Sequence, residues 1–588
     1  MNKTLKRLLV LLTVLAMVFS MVACSPATEA PTEPETPAET ETPVEPEAPS
    51  EDVLGDAVNA YFAEMPDGIY KIKQDAFLDK VAEGEDMFIL DIRQADAYAA
   101  GHVKGAVNAP WGPAIAENLK FIPQDKTVYV YCYSGQTAGQ AVMTLNAAGI
   151  NAISVNLGFN FGISKVDGYE AFLEMDANEF GTDEYEVTPE IQDALTAYYA
   201  GLADVKGTTF GNYKISEASL REMMDNMDDS IYILSIRSEA DYADGHIAGA
   251  EQMSFGAGMQ ENFADLPMDK KIVVYCYTGQ TAGQTTAGLR LLGYDAVSLN
   301  GGMGMSINAP IGWANKGFPV HVVEEAANSY FADYESSNIV PSTKVFEAMD
   351  AGEDMFILDI RQPDVYAEGH LKGAVNIPWN ADLGNVIDYL PMDKPIYVNC
   401  YTGQTAGQTT SVLRMAGFNV MSIKYGYVLG ISKTEGYEGY IETEANEMAM
   451  DTMNEIAPAM KNAVVEYFQD MAVAEIKNNI ISSTSLNEKL QAADDSIFVL
   501  SIRQPDAYAE GHIPTAINIP WAAGMNEQFN TLPRDKTIVV QCYSGQTAGQ
   551  TVGVLRFLGY DAVSLKSGMG TEVTAPSGWA NEGFEVVQ

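Results

Sequence analysis

Four cysteines stand in almost the same surroundings. Cys132, Cys276, Cys400 and Cys542 each open the fragment Cys-Tyr-Ser/Thr-Gly-Gln-Thr-Ala-Gly-Gln. The run before each is β-rich, as in 127–131, and the run after it carries helical periodicity. A cysteine that ends a strand and opens a glycine-containing turn into a helix faces successive backbone N–H groups. It also faces the positive end of the helix dipole. Both favour thiolate over thiol, and the same nest of donors can hold the outer sulfur of a persulfide. The candidate loops are Cys132 with Tyr133, Ser134, Gly135, Gln136 and Thr137, and Cys276 with Tyr277, Thr278, Gly279, Gln280 and Thr281. Their later counterparts are Cys400 with Tyr401, Thr402, Gly403, Gln404 and Thr405, and Cys542 with Tyr543, Ser544, Gly545, Gln546 and Thr547.

The surrounding elements repeat with the cysteines. A Gly-His pair stands 30 residues ahead of each, at His102, His246, His370 and His512. Before each histidine runs a strand-like segment ending in Arg93, Arg237, Arg361 or Arg503. In the first copy, 73–82 reads as an amphipathic helix, 87–92 as a buried strand and 94–100 as a short helix. Residues 107–109 read as a strand, 127–131 as another, and 140–148 as a helix stopped by Gly149. Strands alternating with helices at this spacing predict an α/β fold whose mostly parallel sheet is flanked by helices.

The copies alternate. One and three carry Asp91 and Asp359 in the strand and end in Gly-Ile-Ser-Lys. Two and four carry Ser235 and Ser501 there and end in Gly-Trp-Ala-Asn. Duplication of a two-domain unit accounts for this ABAB order. The expected domains are 56–186, 187–322, 323–450 and 451–588.

Other residues carry weaker signals. The histidines are expected to make structural hydrogen bonds, and the arginines to pair with Asp96, Asp241, Asp364 and Asp506. Trp111, Trp379 and Trp521, with Phe255 in the second copy, suit either core packing or a pocket rim. One histidine and one cysteine per repeat, without close spacing, make no metal site. A phosphatase of this general type needs an arginine about six residues after the cysteine. Ala138, Ala282, Ala406 and Ala548 stand there instead.

Each unit resembles the rhodanese superfamily. The carrying residues are the Ile-Leu-Asp-Ile-Arg strand, the Gly-His-Val-Lys-Gly-Ala-Val-Asn stretch from Gly101, and the six-residue loop from Cys132 to Thr137. The resemblance implies four tandem rhodanese-like domains. Each cysteine would take a sulfane sulfur from thiosulfate or a persulfide, become a persulfide, and pass the sulfur to a thiol or cyanide-like acceptor. It implies supporting roles for Asp91, Arg93, Arg237, Asp359, Arg361 and Arg503, and no cofactor or metal. Two features depart from the pattern. The loops lack the basic residue that many thiosulfate-using members carry, and Ser235 and Ser501 replace the strand acid. A carrier or sensor that stores persulfide without fast turnover is the alternative.

The rest of the chain sets the context. It has 588 residues and a formal charge of −46, which excludes nucleic acid as a partner by repulsion. Lys3, Lys6 and Arg7 precede an apolar run over 8–23, which reads as a signal peptide spanning 1–23. Met21-Val22-Ala23-Cys24-Ser25 resembles a bacterial lipobox, with Cys24 the lipidated residue. Residues 25–52 hold nine acidic residues, seven prolines and no Lys or Arg, and the segment 24–55 is expected to be a disordered tether. The expected location is the outer face of the cytoplasmic membrane or the periplasm, anchored only by lipid. The five cysteines number one in the lipobox and one per repeat, so no repeat can form its own disulfide.

Overall fold

The core of each repeat is a five-stranded parallel sheet. The computed structural model describes residues 52–332 and 336–588. In the first repeat the strand order is Lys71–Ile72, Ala152–Val155, Val128–Tyr131, Phe88–Asp91 and Ala106–Asn108, all parallel. Val128–Tyr131 is buried at every position because helices cover both sheet faces, which is why it reads as an unbroken apolar run. The other three sheets repeat this order. Gln74–Glu83 follows the first edge strand and stops at Gly84, whose left-handed backbone closes the helix.

The helix after each cysteine starts earlier than its apolar periodicity suggests. It spans Gln136–Ala147 rather than 140–148, so Gln136 and Thr137 belong to its first turn and not to a loop. The polar start of that turn hid it: Gln136 is buried against another domain and belongs to no apolar face.

That other domain is the next repeat. Gln136–Ala147 packs against Gln280–Leu291, and Gln404–Met415 packs against Gln546–Phe557. The approach is closest at glycines. A Cβ on Gly139 would stand 2.2 Å from the carbonyl oxygen of Gln280, and one on Gly283 would stand 2.3 Å from that of Gln136. The inner sheet faces of both domains feed one apolar core, with Leu90 and Val130 from the first and Leu234 and Val274 from the second. Repeats three and four share a core in the same way.

The helices that lead into each repeat reach across to the other domain of the pair. Val53–Ala63 precedes the first sheet and packs on Gln136–Ala147 of its own domain while also reaching the second domain. There Tyr61 Oη donates to Gln284 Oε1 at 2.8 Å and Phe62 fills the space beside Gly288. Pro189–Ala200 reaches back the other way: Tyr198 Oη donates to Gln140 Oε1 at 2.6 Å. In the second pair Tyr467 donates to Gln408 and Tyr330 to Gln550. The tryptophans serve this packing. Trp111 meets Tyr199 edge-on, Trp379 meets Phe468, Trp521 meets Phe331, and Phe255 meets Phe62. Contacts also run between the pairs, where Arg534 Nε binds Asp225 at 2.6 Å and Arg221 bridges Asp225 and Glu324.

Candidate active site

Each cysteine sits at the carboxyl end of its sheet's central strand, where open α/β sheets place their ligands. Cys132 Sγ accepts from the N–H of Gly135 at 3.1 Å and of Ala138 at 3.4 Å. The distances recur at Cys276 and Cys400. At Cys542 the N–H of Gly545 lies 3.0 Å away. The first donor comes from a residue with positive φ, 89° at Gly135, which glycine adopts without strain. The second comes from the first turn of the helix, so the sulfur faces both a backbone nest and a helix N-terminus. All four thiols are 2% exposed and none is in a disulfide. Among the described residues no cluster could hold a metal ion.

The tyrosine after each cysteine forms the outer rim. Tyr133 is 39% exposed, and its hydroxyl accepts from the N–H of Gln94, tying the sulfur loop to the turn after the arginine. Tyr277, Tyr401 and Tyr543 do the same at Ser238, Gln362 and Gln504. Ser134 and Thr137 are half-buried beside it, as are Thr278 and Thr405.

The glutamines assigned to the loop act elsewhere. Gln136 Nε2 leaves its own site and donates to Ser298 Oγ at 2.7 Å and to the carbonyl of Leu299, both in the second domain. Gln280 reciprocates at Ser154 Oγ, 2.8 Å, and its Oε1 accepts from the N–H of Leu157. Gln404 and Gln546 repeat the exchange at Ser564 and Ser422. The glutamines of the repeated fragment therefore serve domain pairing, while the glycine and alanine N–H groups around them face the sulfur.

The arginines also differ from expectation. Arg93 pairs with Asp91, two residues before it, and not with Asp96; Nη2 to Oδ2 is 2.6 Å and Nε reaches both oxygens. Arg361 binds Asp359 identically. A carboxylate that returns along an extended strand turn reaches the guanidinium better than one on the following helix. In the even copies the partner is missing. Ser235 Oγ, Arg237 Nε, Ser501 Oγ and Arg503 Nε are buried without a hydrogen-bond partner. The Arg503 guanidinium, whose Nη2 donates to the carbonyl of Gly511, lies over the ring of Tyr543, in the sulfur loop itself. Burial holds it below the usual arginine range, against the pull of Tyr543 and Cys542.

The histidines face their own backbone. His102 and His370 are fully buried, stack on Tyr98 and Tyr366, and set Nδ1 2.9 Å from the carbonyls of those tyrosines.

A family model described as "Rhodanese-like domain" matches residues 73–161, 216–304, 342–431 and 482–570. A Mycobacterium leprae protein whose name assigns it provisionally to the thiosulfate sulfurtransferases is 27% identical over 271 residues, 41% of this chain and 92% of its own length. A sulfurtransferase of Allochromatium vinosum is 30% identical over 110 residues, 18% of this chain and 94% of its own. The crystal structure of a rhodanese-related protein from Thermoplasma volcanium is 30% identical. It covers 18% of this chain and 95% of its own, with a TM-score of 0.16.

Proposed function

This chain belongs to the rhodanese-like domain family, and from that premise we propose that it is a sulfurtransferase working through Cys132, Cys276, Cys400 and Cys542. The thiolate attacks the outer sulfur of a donor such as thiosulfate. A cysteine S–S bond forms, the donor's S–S bond breaks, and sulfite leaves with the electron pair. A thiol or cyanide-like acceptor then attacks the outer sulfur of the persulfide and restores the thiolate. The observation that supports this reading best is the fourfold recurrence of a lone sulfur held by backbone N–H groups at a helix start. Those donors favour both the attacking thiolate and the persulfide anion, without a cofactor.

Thiosulfate followed by cyanide should release labile sulfur from the purified mature chain. Peptides carrying the loop cysteines should gain about 32 daltons, one sulfur each. No gain on any of them would end the proposal. A stable gain without turnover would favour the alternative, a persulfide carrier.

The signal peptide, Cys24 and the tether up to residue 51 lie outside the described residues. Among the described residues no helix is long and apolar enough to cross a membrane. We propose attachment through lipid on Cys24, with two or more acyl chains because one binds only marginally. Cys24→Ala should leave an unprocessed precursor or release protein from the membrane fraction. Wild-type protein found wholly in the cytosol would refute export.

A further inference from the structure

The sulfur loops contain no basic residue, yet the Cys132 and Cys276 sites each have a lysine nearby, supplied by the other domain of the pair. In the first domain Lys71 lies on the sheet's edge strand, in register with Ser154. Partners in a parallel ladder point to the same face and their neighbours to the other. Ile72 and Val155 face the outer core with Phe77. Lys71 and Ser154 therefore face the second domain, where Ser154 Oγ accepts from Gln280, four residues after Cys276. The second domain mirrors this. Lys214 is in register with Ser298, Ser298 Oγ accepts from Gln136 after Cys132, and Ile215 and Leu299 turn to the outer core.

Each lysine is thus directed toward the partner domain's sulfur loop. Burial lowers both ammonium pKa values, while Cys276 pulls Lys71 back up; Cys132 and then Glu217 do so for Lys214. Glu217 is itself engaged by the N–H of Gly312 at 2.6 Å.

The second pair keeps the geometry and replaces both lysines. Ile339 is in register with Ser422, which Gln546 contacts, and Ile480 is in register with Ser564, which Gln404 contacts. The same scaffold thus presents ammonium groups toward Cys132 and Cys276, and isoleucines toward Cys400 and Cys542.

We propose that Lys214 and Lys71 are specificity-determining residues of the Cys132 and Cys276 sites, supplied across the domain boundary, and that they commit the first pair to anionic sulfane donors such as thiosulfate. The Cys400 site, with Ile480 in that place, favours uncharged or less charged donors, and the Cys542 site, with Ile339, keeps only its own domain's Arg503 as a nearby cation. This rests on the sulfurtransferase reading for the word donor, but the charge at each site can be measured without it. A dianion beside a half-buried ammonium gains a charge-assisted contact that backbone N–H groups alone do not provide. The same ammonium faces the negative charge that sulfite carries away.

Two readouts on the full chain test it. In a Cys400→Ser/Cys542→Ser background, Lys71→Ile and Lys214→Ile together should lower thiosulfate kcat/KM about tenfold or more, chiefly through KM. Independently, the ratio of alkylation rates by iodoacetate, an anion, and iodoacetamide, its neutral analogue, should be read cysteine by cysteine. Lys71→Ile should lower that ratio at Cys276 and leave it at Cys132. Ile339→Lys in the parent chain should raise it at Cys542. Ratios that ignore these substitutions, or thiosulfate kinetics unchanged by losing both lysines, would overturn the proposal. If the ratios follow the lysines but no variant transfers sulfur, the anion sites stand and the sulfurtransferase reading falls.

Discussion

Gly139→Leu combined with Gly283→Leu is expected to separate the first two domains. Each glycine Cα faces a carbonyl of the opposite helix, and the missing Cβ would lie 2.2 or 2.3 Å from that oxygen. The obstacle is backbone at the start of a helix, so no rotamer change relieves it. The helices must move apart, carrying Gln136 and Gln280 away from Ser298 and Ser154. Overpacking costs about 1–3 kcal/mol per site, before loss of the hydrogen bonds. Amide exchange in Gln136–Ala147 and Gln280–Leu291 should then accelerate roughly a hundredfold. Gly181→Leu is the control, since nothing lies within 4 Å of its would-be Cβ. Equal exchange in the double variant and the control would show that the pairing tolerates side chains there.

Asp91→Ala is expected to cost about 3–5 kcal/mol locally, because it strands a buried guanidinium. Arg93 is 3% exposed and Asp91 fully buried, so water cannot take the carboxylate's place without opening the site. Faster exchange should centre on Phe88–Asp91 and its neighbour Val128–Tyr131, the strand that carries Cys132. The even copies supply the reverse experiment. Ser235→Asp removes the unpaired Ser235 Oγ and gives Arg237 Nε a carboxylate partner, and should stabilise the second domain by about 1–3 kcal/mol. It also draws the Arg237 guanidinium, 6.0 Å from the ring centre of Tyr277, toward the strand. No change in the exchange of Ile231–Ser235 would mean that water already satisfies the site.

The repeats, the order of strands and helices, and the position of each cysteine at a strand end were legible because they are local. A buried parallel strand is an apolar run, a helix terminates at glycine, and four copies of a fragment reveal one another. The resemblance that named the family rests on those short stretches too. Partner choice was not legible in the same way. The Gln-Thr-Ala-Gly-Gln fragment recurs wherever the cysteine does, so one sequence cannot divide its residues between the sulfur and the domain contact. Arg93 had acids on either side, and only the path of the strand turn decides for Asp91 over Asp96.

What the sequence by itself determined is a chain of four α/β repeats, alternating in kind, each with one sulfur at a helix start. That follows from hydrogen bonding and burial over spans of ten or twenty residues. Only the tertiary structure decided that the repeats work as pairs, with lead-in helices reaching across and Lys71 and Lys214 facing the neighbouring domain's sulfur loop. Residues 71 and 276 come together because two sheets bury their inner faces in one core and two helices meet at glycines. No periodicity within either repeat records that encounter, since each lysine stands in an ordinary edge strand until the other domain is placed beside it.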